Sequence, residues 1–178
     1  MRWCTLLTLS LWLSPLLSHS QKHLDIAISY IGIKEATGHN DGAEIEHIIK
    51  HGGGAKGASY CGYFVKFCLD SAGAKTPIRR GGMARMYKTK SSIPASEVLM
   101  GRAVPAGSIV VFEKGSTMFG HTGFVLNDWH GKSGRTVEGN TSSGVKGSQS
   151  NGDGIYVRKR SIEPLNYFRI TCFSLVTY

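Results

Sequence analysis

The chain has 178 residues, with 21 Lys and Arg against 12 Asp and Glu and a formal net charge of +9. That length suits one domain with a real core. The basic balance suits an anionic surface, be it bacterial wall polymer, lipid headgroup or nucleic acid, without choosing among them. No RNA- or DNA-binding module, internal repeat or CxxC zinc spacing is present, so nucleic acid, a metal and a cofactor are not expected.

The first twenty residues read as an export signal. Arg2 gives a short positive start, Cys4 to Leu17 an apolar run, and Ser18-His19-Ser20 a small-residue cleavage site after Ser20. The apolar run is shorter than the roughly 20 residues of a spanning helix, so a membrane anchor is the weaker alternative. Cys4 precedes the run, which argues against a lipoprotein. Residues 21–178 are expected to form a single domain, periplasmic or extracellular, with no stable membrane insertion.

Helical spacing then appears three times. Residues His23 to Ile33 carry Leu24, Ala27, Ile28 and Ile31 on one face, and Gly32 weakens the end. Residues 37–42 form a loop by composition. Ala43 to Lys50 places Ile45, Ile48 and Ile49 inward, and His51-Gly52-Gly53-Gly54 stops it. Ser59 to Ala72 forms the third helix, with Cys61, Phe64, Val65 and Cys68 on one stripe and Gly73 as its C-terminal cap. Lys75 to Val104 is basic and loop-like, with a helical turn or two around Met83 to Lys88.

After Val104 the period changes to that of strands. Ser108 to Phe112 reads as a buried strand, followed by strands over His121 to Asn127, Arg135 to Thr141, Gly154 to Arg160 and Phe168 to Thr177. Helices followed by strands predict an α+β domain.

Cys61 carries the chemistry. It stands where small residues give way to the third helix, and a thiol at a helix N-terminus meets unpaired N–H groups and the positive end of the dipole. Downstream stand Gly120-His121-Thr122-Gly123 and Val137-Glu138-Gly139-Asn140. Cysteine, then histidine, then a carboxylate or amide is an order that a thiol nucleophile, its base and the base's orienter often take. Alternation turns Thr136, Glu138 and Asn140 to one side of their strand, and a hairpin loop over Asp128 to Gly134 sets His121 roughly opposite Glu138 and Asn140. The reading requires a sulfur that is near the imidazole and open to substrate. Cys61 and Cys68 are separated by roughly 10 Å of helical rise, too far for a disulfide. Cys68 and Cys172 read as core residues, and a bridge between them is unsupported.

Four anchors in this order resemble the CHAP domain, the cysteine- and histidine-dependent amidohydrolase/peptidase family of the papain-like, NlpC-type group. They are Ser59-Tyr60-Cys61-Gly62-Tyr63-Phe64-Val65, Pro105-Ala106-Gly107-Ser108-Ile109-Val110-Val111-Phe112, Gly120-His121-Thr122-Gly123-Phe124-Val125 and Val137-Glu138-Gly139-Asn140. The resemblance runs from about His23 to Tyr178. It implies a papain-like α+β fold, with the nucleophile at the start of a central helix packed on an antiparallel sheet. It further implies Cys61 as nucleophile, His121 as general base, Glu138 as orienter and Asn140 as polar support or alternative orienter. Two positions depart from the family pattern. Tyr60 stands where Trp or Gln is frequent and would serve the oxyanion through its hydroxyl; Ser108 stands where Asp is common, a change that bears on the turn. Some relatives bind calcium before the cysteine, but residues 40–42 are poor in carboxylates.

Export and this resemblance together imply a peptidoglycan hydrolase. The bond is an amide, either N-acetylmuramoyl-L-alanine or one within the peptides, and the residues do not decide between amidase and endopeptidase. The basic residues Lys75, Arg79, Arg80, Arg85, Lys88 and Lys90 suit an anionic wall polymer or are simply solvated charge. The competing readings are a cysteine hydrolase of a non-wall amide or protein and a non-catalytic wall-binding module.

Overall fold

The computed structural model describes residues 21–76, 78, 81–144, 152–162 and 168–178. The export signal expected over residues 1–20, and Arg79 and Arg80 of the basic segment, lie outside the described residues. The elements in chain order are α1 (Lys22–Ser29), α2 (Ala43–His51), α3 (Cys61–Ser71), a 3-10 turn (Ala84–Tyr87), β1 (Ile93–Pro94), α4 (Ala95–Leu99), β2 (Ile109–Glu113), β3 (Gly120–Val125), β4 (Ser133–Thr141), β5 (Gly154–Ser161) and β6 (Arg169–Ser174). The strands form one sheet in the order β1-β6-β2-β3-β4-β5, and every neighbouring pair is antiparallel. This is the α+β architecture of a papain-like CHAP fold.

The central helix is α3. It packs against α1 and α2 on one side and β3 and β4 on the other. Phe64, Val65 and Cys68 are fully buried, and Lys66 is nearly so, its ammonium held 2.7 Å from Asp70 Oδ2 one turn on. His51 Nε2 lies 3.0 Å from the same oxygen and ties the end of α2 to α3. In α2, Ile45, Ile48 and Ile49 face inward. Glu44 and Glu46 in its first turn and Lys50 and His51 in its last complement the helix dipole.

The sheet is covered on both faces, which explains the unbroken apolar run in β2. Ile109 and Val111 pack with α1, α2 and α3, whereas Val110 and Phe112 join Val98, Val104, Trp129 and Phe173 in a second core. Cys68 and Cys172 are both buried in the first core as free thiols.

Three expectations are corrected. Helix α1 stops at Ser29, and Gly32 takes φ +95°, so the chain turns and Gly32 N–H donates to Ile155 O on β5 at 2.9 Å. Ile31, expected inward, falls in that turn and is exposed; Ile28, also expected inward, is exposed although it lies within α1, and His23 is buried, held by Tyr178 Oη at 2.6 Å and Gly107 O at 2.8 Å. The segment from Lys75 to Val104 is not merely a loop. Ile93 and Pro94 pair with Phe173 and Cys172 at the sheet edge, where a proline without an N–H is tolerated, and α4 follows at once. Finally, alternation in β4 fails after Glu138. The β4–β5 register shifts between Glu138 and Thr141, and Asn140 adopts φ +56°.

Gly139 lies where α3 crosses this irregular stretch. A Cβ there would meet Phe64 Cβ at 2.9 Å and its ring at 3.1 Å, and Phe64 has no space to yield. Gly139→Ala should lower unfolding free energy by about 1–3 kcal/mol, as overpacking typically does. A urea melt unchanged from wild type would contradict this account of the α3–β4 contact.

Candidate active site

Cys61 is the first residue of α3, and three contacts fix the chain around it. Tyr87 Oη donates to Gly62 O at 2.7 Å. A Cβ on Gly62 would lie 2.0 Å from Gly81 O, so residues 81–82 can cross the first turn only over a glycine. Asn140 supplies the third. With its amide oriented to satisfy its surroundings, Oδ1 accepts from Tyr60 N at 3.3 Å, and Nδ2 donates to Asn40 Oδ1 at 3.1 Å and Gly152 O at 3.2 Å. Its left-handed backbone, a conformation Asn tolerates, turns the amide to that task.

His121 projects from β3, paired across the ladder with Phe112, whose ring lies 5.5 Å from the imidazole. Its Nε2–H lies 2.8 Å from Glu138 Oε2 on β4. The Glu138 side chain reaches it by passing over Gly123, where a Cβ would come within 2.6 Å of Glu138 Cγ. Nδ1 remains, buried and without a hydrogen bond of ordinary geometry among the described residues. The ring interacts with the Cys61 side chain, which helps to favour the imidazolium. The structure thus brings Cys61, His121 and Glu138 together from three elements.

Two further residues surround Glu138. Thr136 Oγ1 donates to its Oε1 at 2.6 Å. Arg160, on β5, donates from Nε to Oε1 at 2.7 Å and from Nη2 to Oε2. The carboxylate is fully buried, yet three side chains satisfy it. Burial alone would disfavour its charge; hydrogen bonds from Arg160 and the nearby His121 outweigh that and lower its pKa from 4.5 to about 2. For His121, burial disfavours the imidazolium, but Glu138 and then Cys61 outweigh it and raise the pKa from 6.5 to about 9. The arrangement can hold a protonated imidazole between a sulfur and a fixed carboxylate.

The remaining sequence candidates fall elsewhere. Asn140 does not touch His121, whose Nε2 is occupied by Glu138; it anchors the peptide preceding Cys61. The Tyr60 side chain is fully buried, and burial and the neighbouring Glu35 raise its hydroxyl's pKa, so it is turned into the core rather than toward an oxyanion. Cys61 is buried, with 6% exposure, so the sulfur open to substrate that the sequence reading required is not found in this structure. Ser108 closes its turn by donating to Pro105 O at 2.8 Å. In the basic segment, Arg85 and Lys88 both pair with Glu113, at 3.2 and 3.5 Å. Asp41 is satisfied within its own loop by Thr37. Among the described residues no group of three or more His, Cys, Asp or Glu is placed to hold a metal ion, and no helix is long and apolar enough to cross a membrane.

Arg160 and Gly123 were not singled out from the sequence. Glycine after His121-Thr122 is explicable once the carboxylate is known to cross it. A cation for Glu138 was foreseeable in Arg158-Lys159-Arg160, but choosing the residue required the register.

A family model described as CHAP domain matches residues 51–140, half of the chain, and includes all four anchor motifs. No curated protein and no solved structure matches the chain.

The two pKa shifts give stability a pH dependence with defined signs. The His121 contribution is complete below its ordinary 6.5 and is lost as pH rises through about 9. The Glu138 contribution is complete above its ordinary 4.5 and is lost as pH falls through about 2. The urea midpoint should therefore decline from pH 6.5 toward 9, and Glu138→Gln should flatten that decline. An equally steep decline in the variant would assign it to other groups.

Proposed function

The chain belongs to the CHAP domain family, whose members are generally cysteine- and histidine-dependent hydrolases, and on that premise we propose that it cleaves an amide bond of peptidoglycan with Cys61 as nucleophile. The observation that carries this reading is the 2.8 Å contact of His121 Nε2 with the buried Glu138, on a ring whose charged form Cys61 also favours.

Each residue then has one task. The His121 imidazolium stabilises a Cys61 thiolate, and Glu138 fixes the ring. The thiolate attacks the amide carbonyl, and the carbonyl electrons move to oxygen. The Cys61 backbone N–H at the start of α3 is the donor available there, since the Tyr60 N–H is taken by Asn140 and its hydroxyl is buried. His121 gives its proton to the leaving nitrogen as the C–N bond breaks, and a thioester remains. His121 then takes a proton from water, hydroxide attacks the thioester, and the acid leaves as Cys61 regains the thiolate. Cys61 is 6% exposed, so the reaction requires neighbouring side chains to move aside before a carbonyl can reach the sulfur.

The wall as substrate is supported by the family and by the formal charge of +9. Delivery outside the cell membrane is supported by the leader-like pattern of residues 1–20. With Arg85 and Lys88 already paired to Glu113, attraction to anionic polymer depends on the overall charge more than on that cluster.

Incubation with purified peptidoglycan, read by mass spectrometry, tests the proposal. Free muramic acid carboxyl ends identify an amidase, and new amino termini an endopeptidase. No release would refute the wall substrate. Cys61→Ala should abolish release while leaving the melt intact, and His121→Ala should be nearly as damaging. Full activity in Cys61→Ala would overturn the mechanism. A small thiol reagent should modify Cys61 rapidly near neutral pH; slow, ordinary labelling would favour a module that only binds.

A further inference from the structure

We propose that Arg160 is a positioning residue for this reaction, its guanidinium holding both Glu138 oxygens so that Oε2 stays fixed and charged against His121 Nε2. The proposal rests on the roles given above to Cys61 and His121. It adds a residue outside the matched segment 51–140, from a strand that contributes none of the three reacting groups.

Charge balance is the first argument. The reactive state holds two anions, the Cys61 thiolate and Glu138, against one imidazolium. Glu138 is wholly buried, and a buried anion without its own partner is strongly disfavoured. Left with His121 alone, the cluster would keep only one anion, by protonating either the carboxylate or the sulfur. Arg160 supplies the second cation, and its side chain is only 11% exposed. Among the described residues, Arg160 and the His121 ring are the cations in direct contact with Glu138. Arg158 influences the cluster through its charge, but its own guanidinium donates to the carbonyls of Ser142 and Gly144. Among the described residues, the neutral Thr136 hydroxyl also donates to Glu138.

Geometry is the second. The fork is bidentate, Nε to Oε1 and Nη2 to Oε2, so it sets the plane of the carboxylate as well as its charge. The guanidinium lies over the Phe112 ring, 5.2 Å from its centroid, and Phe112 packs against His121 at 5.5 Å. One aromatic ring thus registers both cations that flank Glu138. On β5, Arg160 pairs with Gly134, and its side chain runs back along the sheet to Glu138.

The test is a double-mutant cycle on the full chain, Arg160→Gln against Glu138→Gln, with Arg160→Lys as the conservative variant. Two readouts are used: kcat and KM on peptidoglycan fragments, and the pH profile of Cys61 alkylation by iodoacetamide, which needs no substrate. Arg160→Gln should lower kcat on the order of 10- to 100-fold with KM nearly unchanged, as expected when a reacting group loses its alignment. It should also move the acid limb of the alkylation profile to higher pH. Arg160→Lys should fall between, keeping charge without the fork. In the Glu138→Gln background the same change should cost no more than about 2-fold, the scatter of independent sites. An equal loss in both backgrounds, or an unshifted alkylation profile in a folded Arg160→Gln, overturns the proposal. If Arg160→Gln does not fold, Arg160→Lys decides it: a kcat and alkylation profile equal to wild type would remove the positioning role. A wild-type protein that releases nothing from peptidoglycan but shows the shifted profile would leave Arg160 in place and defeat only the wall substrate.

Discussion

A carboxylate with no solvent around it organises this molecule. Glu138 could exist there as a neutral acid, but then it would accept poorly from His121 and the imidazole would lose its charge preference. The chain instead surrounds it with a hydroxyl, an imidazole and a guanidinium drawn from three adjacent strands. Each partner needs its strand in register, so the β3-β4-β5 part of the sheet and the cluster are one structure. Breaking such a set by removing one member costs far more than its net contribution to folding, because the others are left buried and unmatched.

Close approach is the second constraint, and glycine provides it at the points where Cys61, His121 and Glu138 converge. Gly62 admits the 81–82 backbone over the first turn of α3, Gly123 lets the Glu138 side chain lie across β3, and Gly139 admits Phe64 of α3. A side chain at any of the three would push apart the elements that bear the sulfur, the imidazole and the carboxylate. The spacing in Gly120-His121-Thr122-Gly123 and Glu138-Gly139-Asn140 therefore records packing as much as chemistry.

Much of this was legible from residue order. Periodicity located α2, α3 and the five longer strands to within a few residues, because each has an apolar face or run matched to its burial. Cys61, His121 and Glu138 were legible because a change of local pattern marks the cysteine, and strand alternation with one hairpin aims the other two. What escaped depended on long-range geometry. Helix α4 has five residues, too few to show a period, and β1 has two. Ile31 follows a helical pattern that the turn at Gly32 overrides. Asn140 obeys alternation in sequence but sits on a register shift that re-aims it. Tyr60 looked like a cleft residue because it adjoins Cys61, whereas the N-terminal end of a buried helix points successive side chains in very different directions. Arg160 became identifiable only once β4 and β5 were aligned.

The Asn140 amide joins three places far apart along the polymer: Asn40, the peptide of Tyr60 and Gly152. The mounting of the thiol is thus finished by a turn more than ninety residues downstream of Tyr60. A growing chain emerging from the ribosome holds Cys61 and His121 well before it holds Gly152. The anchoring of the cysteine consequently waits for that turn, and a polypeptide interrupted before it carries the thiol on a seat that is still unlatched.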